Sequence, residues 1–179
     1  LMRRPYQFLG HDYFNAPDAS KLNNERILKK VAEKSYLPTN QTLLKLLDRH
    51  PEFKVSFSLS GTILEQLEHT LPHVLASFQE LVHTGRVEIL AETYYHSLAF
   101  LYSKEEFRRQ VMLHRKKIKR LFGVTPTVFR NTELIYNNDL AQTIERMGYR
   151  GIVTEGADHI LEWRSPNYLY RPEGTKKIV

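Results

Sequence analysis

Val87-Glu88-Ile89-Leu90-Ala91-Glu92-Thr93 is the stretch on which the fold turns. It is mostly apolar at its centre, short, and bounded by Gly85 on one side and a polar, aromatic run on the other, which is how a buried strand reads. Ten residues on, Ser103 stands three residues before Glu106, a capping box that opens a helix running to Phe122, with Phe107, Val111, Ile118 and Leu121 on one face and Gly123 as its stop. Thr127-Val128-Phe129-Arg130 comes next as another short strand. A strand, a helical crossover and a second strand imply parallel pairing.

The same alternation extends both ways. Upstream, Asn24 to His50 reads as two helices divided at Pro38, the second capped by Thr39 or Asn40; Val55 to Ser60 alternates as a strand closed by Gly61; Leu71 to His83 is helical. Downstream, Asn137 or Asn138 opens a helix that ends at Met147 and Gly148, Arg150 to Thr154 is a strand, and Tyr168-Leu169-Tyr170 is expected to be another. No repeat, linker or low-complexity segment interrupts the order, so the 179 residues read as a single α/β domain with parallel strands and crossover helices.

Composition removes several classes. With no cysteine there is no disulfide scaffold, thiolate metal site or cysteine nucleophile. No apolar run approaches the ~20 residues of a membrane span. Leu1-Met2-Arg3-Arg4-Pro5 lacks an apolar stretch behind its charges, and with the missing cysteines this leans toward a cytoplasmic setting. The eight glycines form neither a phosphate loop nor a nucleophile elbow. The net charge of +6 belongs to one segment: Lys104 to Arg120 holds eight basic residues and two acidic ones, and the rest of the chain is balanced. A basic amphipathic helix can bind membranes or nucleic acid. Here the apolar stripe suits a crossover helix with its charges on the solvated face, so neither partner is expected.

Catalytic side chains in parallel α/β folds gather at the carboxyl ends of the strands. Three ends carry them: Glu92 with Tyr94, Tyr95 and His96; Arg130 and Asn131 with Glu133; and Glu155 with Asp158 and His159. Carboxylates with aromatic rings suit a sugar, because ring faces stack on pyranose faces while carboxylates and imidazoles bind hydroxyls. Glycosidic cleavage needs two carboxyl groups. Each residue also has a plain reading: Glu133 as a surface carboxylate or helix cap, His96 as a loop histidine, Asp158 as the cap of a short turn, Trp163 as a core anchor instead of a stacking platform. His11-Asp12 and the pair His69 and His73 are the remaining metal-type signals. Pro72 interrupts the pair, and no metal is assigned.

Gly85 to Leu98, Phe129-Arg130-Asn131-Thr132-Glu133-Leu134 and Gly148 to Asp158 with Trp163 to Tyr168 together resemble, in order, conserved regions of glycoside hydrolase family 57, its α-amylase branch in particular. The resemblance implies an incomplete (β/α)7-type barrel and retaining cleavage or transfer of α-glucan linkages without a cofactor. It implies Glu133 as the catalytic nucleophile and His96, Tyr95, Glu92, Arg130, Asn131, Glu155, Asp158 and Trp163 as substrate-binding residues. The family's first motif, His-Gln-Pro, is absent, although Arg3 to Phe8 resembles the segment just after that motif, and the acid/base aspartate belongs to a strand beyond Val179. The expectation is the N-terminal part of a longer enzyme, cut at both ends, inactive by itself and self-associating through open barrel edges. Two alternatives come from the residues: a metal-dependent carbohydrate deacetylase-like hydrolase, since deacetylases use a related barrel, and a non-catalytic carbohydrate- or polyanion-binding fragment.

Overall fold

A computed structural model describes residues 24–179. The opening readings at Arg3 to Phe8, His11 and Asp12 lie outside the described residues. Four parallel strands form the spine: β1 (Val55–Ser58), β2 (Val87–Leu90), β3 (Val128–Arg130) and β4 (Gly151–Val153). β1 pairs with β2 in the register Val55 to Val87, and β3 pairs with β4 in the register Val128 to Gly151. A single bridge joins the two pairs: Ala91 donates to Val128 O at 2.8 Å and accepts from Arg130 N at 2.8 Å. The spatial order therefore matches the chain order, as an alternating parallel fold requires.

Helices wrap this spine. α1 (Asn24–Val31) and α2 (Leu37–Arg49) lead into β1. α3 (Gly61–Thr70) and α4 (Pro72–His83) cross from β1 to β2. α5 (Ala99–Tyr102) and α6 (Lys104–Phe122) cross from β2 to β3. α7 (Asn138–Arg146) crosses from β3 to β4, and α8 (Asp158–Leu161) comes after β4. Two apolar clusters result. The first gathers α1 to α4 with β1 and β2 around Leu64, Leu67, Leu81 and Ile89, and the second packs Phe107, Phe129, Leu140 and Ile144 between α6, α7 and β3.

The caps explain the boundaries. Ser103 accepts from Glu106 N at 3.2 Å to start α6, and Gly123 ends it with φ 74°. Asn137, of the two asparagines, starts α7 by accepting from Leu140 N at 2.8 Å.

Several expectations are corrected. Pro38 does not divide two helices. The helical path continues through a π-helical turn, Ala32–Tyr36, whose wider loop places Leu37 N on Ala32 O just before the proline. A regular α-turn would drive the proline ring into a carbonyl, and the extra residue moves that carbonyl aside. Thr39 and Asn40 are thus inside α2, and Asn40 is buried with its amide donating to Ser77 Oγ at 2.9 Å. Gly61 opens α3, an element the alternation did not anticipate, with Ser60 accepting from Ile63 N as its cap. Tyr168-Leu169-Tyr170 is not a strand, and Tyr168 and Leu169 are exposed. Val179 instead runs beside β4, donating to Arg150 O and accepting from Ile152 N.

The basic helix is not simply a solvated face. Lys117 donates to Glu68 on α3 at 2.8 Å, and Arg120 grips the same carboxylate through both terminal nitrogens at 2.6 and 2.8 Å. Arg120 and then Lys117 hold the Glu68 carboxyl down at about 2. A depressed carboxyl stabilises the fold above its unfolded value, near 4.5, and that stability is lost as pH falls through its folded value. Glu68→Gln is therefore expected to be less stable than the parent at pH 7, with the gap closing between about pH 4.5 and 2. Denaturant midpoints at pH 7, 4 and 2.5 check it, and a pH-independent gap would refute it.

Candidate active site

The ends of β1, β2 and β3 border one cleft of about 870 Å³. Tyr36 from the π-turn, Ser58 from β1, Glu92 and His96 after β2, Tyr95, and Arg130 at the end of β3 line it.

Glu92 is the anchor. Its side chain is only 2% exposed, yet it is a carboxylate. A buried carboxylate must be supplied with donors. Ser58 Oγ donates to Oε1 at 2.9 Å, and His96 Nδ1 lies 3.0 Å from Oε2. His96 then faces the next strand end, with Nε2 at 3.4 Å from Oε1 of Glu133. The Glu133 carboxylate itself is 73% exposed.

Local structure holds this alignment. The loop bearing His96 is tied at both flanks. Ser97 N donates to Thr93 Oγ1 at 2.8 Å, and Gln110 of α6 accepts from Ser97 Oγ at 2.8 Å and from Tyr95 N at 3.4 Å. Glu133 sits in a 3-10 turn, Thr132–Leu134, and the backbone at His96, Glu133 and Leu134 is left-handed, with φ of 53°, 55° and 57°. Such conformations cost energy for residues with a Cβ and persist where the surroundings impose them. Asn131 imposes one of them: its buried amide donates to Ile135 O at 3.0 Å and closes the turn under Glu133. Thr93 and Thr132 meet at 3.1 Å between their hydroxyls and lock the two loops together.

The sequence-derived residues thus divide. Glu92, Tyr95, His96 and Arg130 share the cleft, and Glu133 joins it through His96. Asn131 is buried beneath the turn, and its structural contact is to backbone. Glu155, Asp158 and Trp163 are not among the residues that line the cleft. They lie after β4, where the Thr154 hydroxyl donates to Leu134 O at 3.4 Å beside the Glu133 turn. Asp158 is itself the first residue of α8, after Ala157 as N-cap, so it does not cap that turn with its side chain. Trp163 is 88% exposed and is no core anchor.

Sequence reasoning missed Ser58, Gln110 and His114. The last two lie inside α6, where Gln110, His114 and Phe122 share the buried stripe with Phe107, Val111 and Ile118, and Leu121 is only partly buried. Their spacing from Phe107 was the available signal, hidden because both are polar. His114 donates from Nε2 to Leu59 O at 2.8 Å, and burial pushes its pKa down, which keeps it neutral. No three His, Cys, Asp or Glu side chains are grouped to hold a metal among the described residues. His69 lies in the last turn of α3 and His73 in α4, so that pair does not share a helix.

Polar and acidic side chains at neighbouring ends of parallel strands are the arrangement in which α/β folds carry their sites. The chain matches the family described as glycosyl hydrolase family 57 over residues 3–179, and it belongs to that family. A Methanocaldococcus jannaschii protein named "Putative alpha-amylase" is 49% identical over 162 residues, 89% of this chain and 34% of that protein. The chain thus spans about a third of this relative's length. The crystal structure of the 4-alpha-glucanotransferase from Thermococcus litoralis superposes with a TM-score of 0.66 at 22% identity, over 78% of this chain and 21% of that one. The alpha-amylase AmyC from Thermotoga maritima also gives 0.66, at 16% identity, over 88% of this chain and 40% of that one. These two likenesses establish the α/β fold with parallel strands.

Proposed function

We propose that this chain supplies the nucleophile half of a retaining α-glucan hydrolase or transglycosylase, with Glu133 as the nucleophile and the four strands as one side of a (β/α)7-type barrel. The observation that carries this reading is the Glu133 carboxylate itself: exposed at a strand end, held in a left-handed turn, and facing the imidazole that links it to the cleft. The names of the relatives, alpha-amylase and 4-alpha-glucanotransferase, agree with an α-glucan substrate.

The chemistry rests on two carboxyl groups about 5–5.5 Å apart. Ionised Glu133 attacks the anomeric carbon while a second, protonated carboxyl gives its proton to the departing glycosidic oxygen. Water or a sugar hydroxyl then loses a proton to that second carboxylate and displaces Glu133, so configuration is retained. Arg130 and Tyr95 in the cleft are placed to bind hydroxyls and stack on a ring. The exposed Trp163 offers a further stacking face.

Trapping tests the assignment directly. In the full-length protein, an activated fluoro-substituted α-glucosyl donor is expected to label one peptide, and fragmentation to place the sugar on Glu133. Labelling of any other carboxylate would overturn the reading.

A further inference from the structure

Glu92 and His96 are more than lining. We propose that His96 is a positioning residue for the Glu133 carboxylate, itself oriented by the buried carboxylate of Glu92. This rests on the reading of Glu133 as nucleophile.

The inference begins with proton accounting. Glu92 is almost wholly buried, and Ser58 Oγ and His96 Nδ1 are its side-chain partners among the described residues. Leaving a buried carboxylate without such donors is costly, so the Nδ1 position carries hydrogen. That leaves Nε2 facing Glu133 Oε1 at 3.4 Å. A proton on this edge, on Nε2 or on the Glu133 carboxyl, would turn the repulsion of two facing lone pairs into an attraction.

The reaction selects between these. Glu133 must be ionised to attack, so in the attack-ready state the proton is on Nε2, and an imidazolium stands between two carboxylates. When Glu133 bonds to the anomeric carbon its negative charge disappears, and when it is displaced the charge returns next to the same fixed donor. No proton leaves His96 in either step, because the leaving oxygen takes its proton from the other carboxyl. The contribution is orientation and preorganised charge, of the kind that needs no rearrangement at the moment of reaction.

Backbone geometry supports a dedicated role. Both members of the 3.4 Å pair are non-glycine residues in left-handed backbone, and the Thr93–Thr132 contact joins the two loops that present them. Of the four non-glycine residues with left-handed backbone among those described, two carry the facing side chains, and such backbone often marks a site. Arg130 and Tyr95 line the same cleft, and His114 from α6, committed to Leu59 O, is near enough to feel the Glu92 charge.

The test uses the full-length protein, with kcat and KM separated on an α-glucan. His96→Ala is expected to lower kcat about a hundredfold with KM within a few-fold, and added imidazole to restore at least a tenth of the loss. Glu92→Gln is expected to lower kcat about tenfold and to displace one limb of the pH profile. Nitrogen NMR of the histidines in the parent protein gives a readout independent of turnover and of any variant's folding. His96 is expected to carry hydrogen at Nδ1; a neutral ring protonated only at Nε2 would overturn the proposal. So would kcat values within threefold of the parent, or losses confined to KM, in both variants. If labelling finds Glu133 while these results fail, this inference alone falls; if labelling misses Glu133, the nucleophile reading falls with it.

Discussion

Glu133→Ala is expected to lower kcat/KM by about 10⁴–10⁶-fold while leaving the fold intact. The magnitude follows from the proposed role of Glu133 as nucleophile. A nucleophile enters the bond being made, and no neighbour can replace it. His96 Nε2 only faces Glu133 Oε1 at 3.4 Å, and Glu92 is buried behind it with its oxygens engaged by Ser58 and His96. The fold should tolerate the change because the Glu133 side chain is 73% exposed and the turn is closed from below by Asn131. Truncation also opens the face from which attack occurs. Azide should enter there, displace the leaving sugar in one step while the remaining acid protonates it, and yield a β-glycosyl azide from an α-linked substrate. Activity of Glu133→Ala within tenfold of the parent, or azide rescue with retained configuration, would exclude a nucleophilic role.

Gly61→Ala is expected to destabilise the fold by about 2–3 kcal/mol, a large effect for a single methyl group. Gly61 is buried at the start of α3, and a Cβ built there would fall 2.4–2.5 Å from three ring carbons of Tyr94. The cause is space; by contrast, the left-handed glycines Gly85, Gly123 and Gly148 have room for a Cβ. The ring cannot simply turn away. Tyr94 is 3% exposed, its hydroxyl donates to Glu65 at 2.5 Å, and it meets Tyr95 edge-on at 5.0 Å between centroids. Displacing it pushes on the loop that carries Tyr95 and His96, so activity should fall along with the unfolding midpoint. A double-mutant cycle isolates the clash: with Tyr94→Ala already made, adding Gly61→Ala should cost less than it does alone, since the ring is gone. Additive losses would contradict the packing argument.

Much of this architecture is legible in the chain itself. The strands at Val87 and Val128 show as short apolar runs because Val87, Ile89 and Leu90 in the one and Phe129 in the other are buried. Ser103, Gly123, Asn137 and Gly148 announce helix ends through side-chain capping and left-handed backbone, which are local properties. Where the reading failed, a non-local cause was at work. Pro38 is a break signal that the π-turn before it accommodates. Gly61 resembles a strand terminator, and only the Tyr94 ring pressed against it shows why glycine stands there. Tyr168-Leu169-Tyr170 has strand composition without strand pairing.

The candidate site divides along the same line. Glu92, His96 and Glu133 are conspicuous in the sequence because they are polar residues just beyond apolar strands, and parallel topology sends such ends to one side. Their hierarchy is not visible there. Glu92 and Glu133 read alike as strand-end carboxylates, yet one is buried with its oxygens occupied and the other is open to solvent. That difference comes from the packing of β1, which brings Ser58 to Glu92, and of α6, whose Gln110 fixes the loop of His96. The sequence by itself determined the order of elements, the parallel sheet and the set of strand-end carboxylates, because these arise from local periodicity and chain connectivity. Which carboxylate is buried with its oxygens engaged and which is open to solvent was decided only by the tertiary structure, because burial and hydrogen-bond partners are set by residues distant in the chain.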